Sequence, residues 1–109
     1  MSDGVIRVVG GAQSTKLDER FDLVPFEGIR AAARRFALGA AKYAARQWEG
    51  GDESFAEERI NHLVRHTLLF AEHRRQEDLD ALLCNGMMMA FFKSKGMLAE
   101  AVPDATGTP

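Results

Sequence analysis

Hydrophobic and polar positions recur with a helical period over most of this chain. From Pro25 onward, Ile29, Ala33, Phe36, Ala40 and Tyr43 follow at steps of four, three, four and three, which lays them along one stripe of a first helix. Pro25 suits the first turn, where a fixed φ and a missing N–H cost nothing, and Gly50–Gly51 ends the segment. Gly39 inside it costs about 1 kcal/mol against alanine, which fits a place where another backbone comes close. For a second helix, Ser54 with Glu57 three residues later forms a capping box. Ile60, Leu63, Val64, Thr67, Phe70 and Ala71 make its buried stripe. Glu58, His62, His66 and His73 fall within a sector of about 80° on a different face, while Glu57, Asn61, Arg65 and Glu72 form a separate polar stripe. A third helix opens on the acidic "QEDLD", favourable at the positive end of a helix dipole. It continues as "ALLCNGMMMAFF", apolar all round, the pattern of a helix buried on most sides.

Outside these helices little is patterned. Val5–Val9 is a short β-prone run closed by Gly10–Gly11, expected as an arm or a lone strand rather than a sheet. Residues 12–22 are polar and irregular, and the terminal "VPDATGTP" holds nothing that would order it. No repeat at a solenoid period is present. The fold class is therefore all-α: a small helical bundle of about three main helices. An irregular N-terminal arm spans 1–20, the helical domain 21–96 and a flexible tail 97–109. A chain of 109 residues does not easily surround an apolar helix by itself. The bundle is accordingly expected to be completed by homo-oligomerisation, with Met87, Met88 and Met89 in the interface.

Composition narrows the partners. Fourteen basic residues stand against sixteen acidic ones, a formal net charge of −2. That balance argues against binding polymeric nucleic acid, which calls for a basic excess or stripe, but it leaves room for a local basic pocket. Cys84 is the only cysteine, so neither an intramolecular disulfide nor a cysteine zinc cage can form. A lone cysteine in an apolar run reads as a buried reduced thiol, and the chain is expected to be cytoplasmic. No window approaches the roughly 20 apolar residues of a membrane span.

Several residues could carry chemistry. His62 and His66, at i and i+4, share a helix face and could bind a metal or a phosphate, or simply border the core. "HLVRH" lacks the glutamate of a zincin motif. If the second and third helices pack antiparallel, Glu72 faces Glu77 and Asp78, an oxygen set of the kind Mg²⁺ takes together with water and phosphates. The alternative is a solvated helix end. Asn85 is the only polar side chain between Ala81 and Phe92. A buried amide left unpaired costs about 1–3 kcal/mol, so a neighbouring helix satisfies it or it reads a base or ribose. Lys42, Arg46 and Arg65 could neutralise phosphates. Trp48 or Tyr43 could stack on a base, although Tyr43 continues the apolar stripe and reads better as core. Arg30, Arg34 and Arg35 read as a solvated face. There is no phosphate-binding loop, no dinucleotide fingerprint, no serine in a nucleophile context and no His–Asp phosphohydrolase pair.

The order of these features resembles the small phage family of dATP/dGTP diphosphohydrolases, grouped with the MazG-like all-α nucleotide pyrophosphohydrolases. The matching elements are Asp22, Leu23 and Pro25; Gly39, Ala40, Lys42, Tyr43 and Trp48; Arg65–His66; and Glu77 with Asn85. They span about residues 21–92. Gln47 stands where the family has asparagine before the tryptophan, "EHRRQ" replaces an acidic glycine-containing turn, and Asp78 takes the place of a histidine. The two-part E-x-x-E…E-x-x-D motif is not plainly present. The resemblance implies hydrolysis of a purine deoxynucleoside triphosphate to monophosphate and pyrophosphate. Glu72, Glu77 and Asp78 would hold Mg²⁺, or Mn²⁺ in its place, with His66 and Glu77 catalytic and Lys42, Trp48, Arg65 and Asn85 binding substrate. It also implies a bacterial host cytoplasm if the chain is phage-encoded. The competing reading is a nucleotide-binding protein that sequesters or senses without cutting.

Overall fold

A computed structural model describes residues 4–7 and 13–100. Three helices dominate: α1 (Phe26–Lys42), α2 (Glu53–His73) and α3 (Gln76–Ser94). Two short strands precede them, β1 (Gly4–Arg7) and β2 (Gln13–Lys16), paired antiparallel with Gly4 opposite Lys16 and Arg7 opposite Gln13. The expected arm or lone strand is thus a two-stranded hairpin, because the polar stretch after the glycines supplies a pairing partner. Val8–Gly11 and the terminal "VPDATGTP" lie outside the described residues.

Local chemistry sets the helix ends. Pro25 occupies the N-cap of α1 in extended conformation. The helix stops at Lys42, short of Gly50–Gly51, and Tyr43 N–H closes it by donating to Gly39 O at 2.9 Å. The chain then turns through Arg46 at φ 60° into a 3-10 turn at Gln47–Gly50, a left-handed residue that no α-helix can run through. α2 begins two residues before the expected capping box. Asp52 Oδ1 accepts from Phe55 N–H at 2.9 Å, and an acidic cap is favoured at the positive helix end. Arg74 at φ 57° ends α2, so α3 starts almost at once and doubles back. His66 meets Asp78 and, two turns away, Arg59 meets Asn85, the ladder of an antiparallel pair. After α3, Gly96 takes φ 71° and Met97 N–H returns to Phe92 O at 3.0 Å, a glycine-dependent helix stop.

α3 is the central helix: it packs against both α1 and α2, whereas those two barely touch each other among the described residues. The fully buried apolar set is Ala31, Ala32, Ala56, Ala81, Cys84 and Phe92. All but Phe92 are small, so the helices lie close along most of their length. At one end Trp48 fits among Phe36, Phe91 and Phe92, with ring centroids 5.7, 5.0 and 5.7 Å away.

The buried faces differ from the expected stripes. On α1, Ala31 and Ala32 turn inward while Ile29, Ala33, Ala40 and Tyr43 are exposed, Tyr43 at 69%. On α2 the inward residues are Ala56 and His66, with Arg59 and Leu63 half-buried, while Ile60, Val64, Thr67 and Ala71 are exposed. Tyr43 is therefore not core. Gly39 does not mark a close approach either, since a Cβ there would meet nothing within 4 Å. The reason lies on α3: its buried Asp78, Asp80 and Asn85 require polar partners, and those partners fix how α1 and α2 rotate.

Candidate functional site

Because α1 and α2 meet mainly through α3, a cleft of about 1170 Å³ opens between the C-terminal half of α1, the 43–51 loop and the first turns of α2. Its floor is Cys84, Asn85 and Met88 of α3. The volume is above the ~300–1,000 Å³ typical of small-molecule sites, ample for a nucleotide. Four cations line it, Arg35, Lys42, Arg46 and Arg59, against one carboxylate, Glu49. That carboxylate pairs with Arg46 at 3.0 Å. Neither Arg35 nor Lys42 has an ion-pair partner among the described residues. A chain that is acidic on the whole thus collects positive charge in its cleft.

The α2 wall is held by interlocking contacts. Arg59 lies over the Phe55 ring at 4.0 Å, donates from Nε to Phe55 O at 3.1 Å, and donates from Nη1 to Asn85 Oδ1 at 3.3 Å. Asn85, only 4% exposed, donates from Nδ2 to Ala81 O at 2.8 Å. Burial pushes Arg59 below its ordinary pKa. One turn on, burial first and then Arg59 hold His62 below the usual histidine value, which favours a neutral ring, against the pull of Glu58. Burial pushes the Cys84 thiol up to about 11, so it stays protonated and is no nucleophile.

Further along the α2–α3 ladder lie two carboxylates with dedicated partners. His66 Nδ1 lies 2.9 Å from Asp78 Oδ1, and Arg75 Nε donates to Asp78 Oδ2 at 2.9 Å. Arg34 grips Asp80 with two bonds of 3.0 and 2.9 Å, and Gln76 adds one of 2.7 Å. Arg34, on an exposed face of α1, thus also clamps α1 to α3. The His66 hydrogen bond above all holds Asp78 below the ordinary carboxylate pKa, and Arg34 does the same for Asp80. Their stabilisation is fully present above the unfolded-state value of about 3.9, and it is lost as the pH falls from there through the lowered folded values. The double variant Asp78→Asn with Asp80→Asn should accordingly lose much of the pH dependence of stability below about pH 4. Urea midpoints across an acid series measure this, and an acid limb as steep as the parent's would contradict it.

Of the residues singled out from sequence, Lys42, Trp48 and Asn85 line the cleft. Trp48 is largely taken up by the three phenylalanine rings around it, and Asn85 by Ala81 and Arg59. Arg65 is exposed and lies outside the cleft lining, as do His66, Glu72, Glu77 and Asp78. Glu72 and Glu77 are exposed at the α2–α3 turn, Glu72 Oε1 lying 3.7 Å from His73 and Glu77 Oε1 3.6 Å from Arg75. Among the described residues no three acidic, histidine or cysteine side chains are grouped to hold a metal ion. The expected trio Glu72, Glu77 and Asp78 thus does not fit a shared cation, because Asp78 turns inward to His66. Sequence reading missed Arg59, Phe55 and Arg35. Arg59 lies seven residues before His66 and four after Phe55, so it borders the face that carries the histidines.

No helix among the described residues is long and apolar enough to cross a membrane. The family model described as dATP/dGTP diphosphohydrolase, N-terminal, matches residues 9–101. No curated protein and no solved structure matches the chain.

Proposed function

The chain belongs to the dATP/dGTP diphosphohydrolase family, and from that premise we propose that it hydrolyses purine deoxynucleoside triphosphates to monophosphate and pyrophosphate in the α1–α2 cleft. The observation that carries this reading is the excess of cations over carboxylates in a cleft that also presents the exposed Tyr43 ring. Triphosphate oxygens take charge-assisted bonds from arginine and lysine, and a base can stack on an aromatic edge of the same cleft. Arg35 and Lys42 lie seven residues apart on α1, so both reach one side of the ligand.

His62 lines the cleft as a ring kept largely neutral, able to take a proton from water. His66, oriented by Asp78 one turn away, continues the same polar face. Glu72 and Glu77 face solvent while Asp78 turns inward to His66. Mg²⁺ or Mn²⁺ would arrive with the substrate, carried on the triphosphate. Dispersed acids favour the second reading, in which the cleft retains a nucleotide without cutting it. We also assign a second copy of the chain to the exposed apolar stripe Ile60, Val64 and Leu68 of α2, whose helical spacing makes one continuous face.

Incubating the chain with each dNTP and Mg²⁺, then separating nucleotides and assaying pyrophosphate, tests the reading. Release of dAMP or dGMP with pyrophosphate supports the hydrolase. Tight retention of uncut nucleotide supports the binder, and neither turnover nor retention removes both. Light scattering on the same sample reads the assembly, and a monomer would reject the second copy.

A further inference from the structure

We propose that Arg59 forms an oxyanion subsite on the α2 wall of the cleft, built to take a phosphoryl group or free pyrophosphate, with Asn85 as its positioning residue. The proposal rests on the nucleotide reading of the cleft and adds where in it the charge is held.

The argument begins with an imbalance. Three arginines approach buried parts of α3. Arg34 is neutralised by Asp80 and Arg75 by Asp78. Arg59 is half-buried, yet no carboxylate lies within ion-pair distance of it among the described residues. Glu58 acts on it only through space and sits beside His62 at 4.0 Å. A guanidinium withdrawn from water without a counter-ion is costly, and burial already disfavours its charged form. An anionic ligand would offset that cost; a neutral base edge would leave it standing.

The group is also preorganised. Stacking on Phe55 and the bond to Phe55 O fix its plane. Asn85, itself anchored on Ala81 O, holds Nη1. These bonds use two of the five N–H groups a guanidinium carries, which leaves three for a ligand. A planar fork of this kind matches two oxygens of one phosphoryl group, which an ammonium does not. Asn85 is the uncharged residue that permits this: an aspartate in its place would become the missing counter-ion. The other titratable groups facing Arg59, His62 and Cys84, do not supply a negative charge at neutral pH.

Calorimetric titration of the full chain with inorganic pyrophosphate, orthophosphate, dGTP and deoxyguanosine tests this. Arg59→Gln should weaken pyrophosphate at least about tenfold, the equivalent of one charge-assisted bond, and Arg59→Lys should restore only part. Asn85→Asp should weaken pyrophosphate as much while folding normally, which a purely structural pair would not do. Deoxyguanosine should bind the Arg59 variants as it binds the parent chain. The subsite is overturned if the parent binds no pyrophosphate. It is equally overturned if both Arg59→Gln and Asn85→Asp bind it unchanged, or if Arg59→Gln weakens deoxyguanosine alone. The dGTP arm separates the two ideas: parent affinity for dGTP with no effect of the variants removes the subsite and leaves the nucleotide reading intact.

Discussion

Replacing Phe92 by alanine will cost about 3–5 kcal/mol of folding stability, the range for removing a large buried aromatic. Phe92 is 0% exposed. Its ring lies 5.7 Å from Trp48, 5.9 Å from Phe55 and 5.4 Å from Phe91, all edge-on. Such pairs add about 0.5–1.5 kcal/mol beyond area burial. The other fully buried apolar side chains are small, so truncating any of them removes less. Domains of this size have a total stability of only about 5–15 kcal/mol, and the variant should be partly unfolded at physiological temperature. The damage would also reach the cleft, because Phe55 carries Arg59. Urea denaturation followed by helix signal measures the loss. Met87→Ala, on an exposed part of the same helix, should shift the midpoint little. A Phe92→Ala midpoint equally close to the parent's would show that the aromatic cluster does not hold α3.

The second large effect is on binding. Reversing both α1 cations, Arg35→Glu with Lys42→Glu, should weaken dGTP at least about 100-fold. Each charge-assisted bond to phosphate is worth about 1.5–3 kcal/mol, and 1.4 kcal/mol is tenfold. Both side chains line the cleft, and neither is tied to a carboxylate, so the helix loses no ion pair when they change. Arg30→Glu adds the same kind of charge on α1 outside the cleft lining and controls for bulk electrostatics. Titrations at one fixed ionic strength keep screening constant. Equal affinity in the double variant and the Arg30 control would take the phosphates away from α1.

Much of the architecture was legible beforehand because its causes are local. Pro25 announces the start of α1, and the acidic "QEDLD" announces α3. The apolar sweep from Ala81 to Phe92 marks the helix that ends up between the other two. Other local signals competed. Asp52 and Ser54 are both cap-forming residues within three positions, and only the settled helix reveals that Asp52 does the capping. Gly50–Gly51 looks like the natural stop of α1, but the helix ends at Lys42. The chain turns earlier, at Arg46, as Trp48 folds onto Phe91 and Phe92.

The candidate site was legible in part for the same reason. Lys42 and Trp48 stood out as unusual side chains near a helix end, and Asn85 as a lone amide in an apolar run. Their neighbours were not legible, because Arg35 and Arg59 look like ordinary surface arginines until the helices close around them. Asp78 shows the opposite case. Its place in an acidic helix start suggested a metal ligand, but its partners, His66 and Arg75, make it part of the polar ladder.

By itself, then, the sequence determined that three helices form, roughly where they begin, and which family the chain resembles. Tertiary structure alone decided which face of each helix turns inward. A period of 3.6 residues defines stripes but does not rank them, and α1 and α2 each offer an apolar stripe and a mixed one. The choice followed from α3, whose buried Asp78, Asp80 and Asn85 had to be paired. Pairing them drew His66 and Arg59 inward, brought Arg34 across to Asp80, and left Ile60, Val64 and Tyr43 outside. The same rotation brought Arg35, Lys42 and Arg59 to the walls of one cleft.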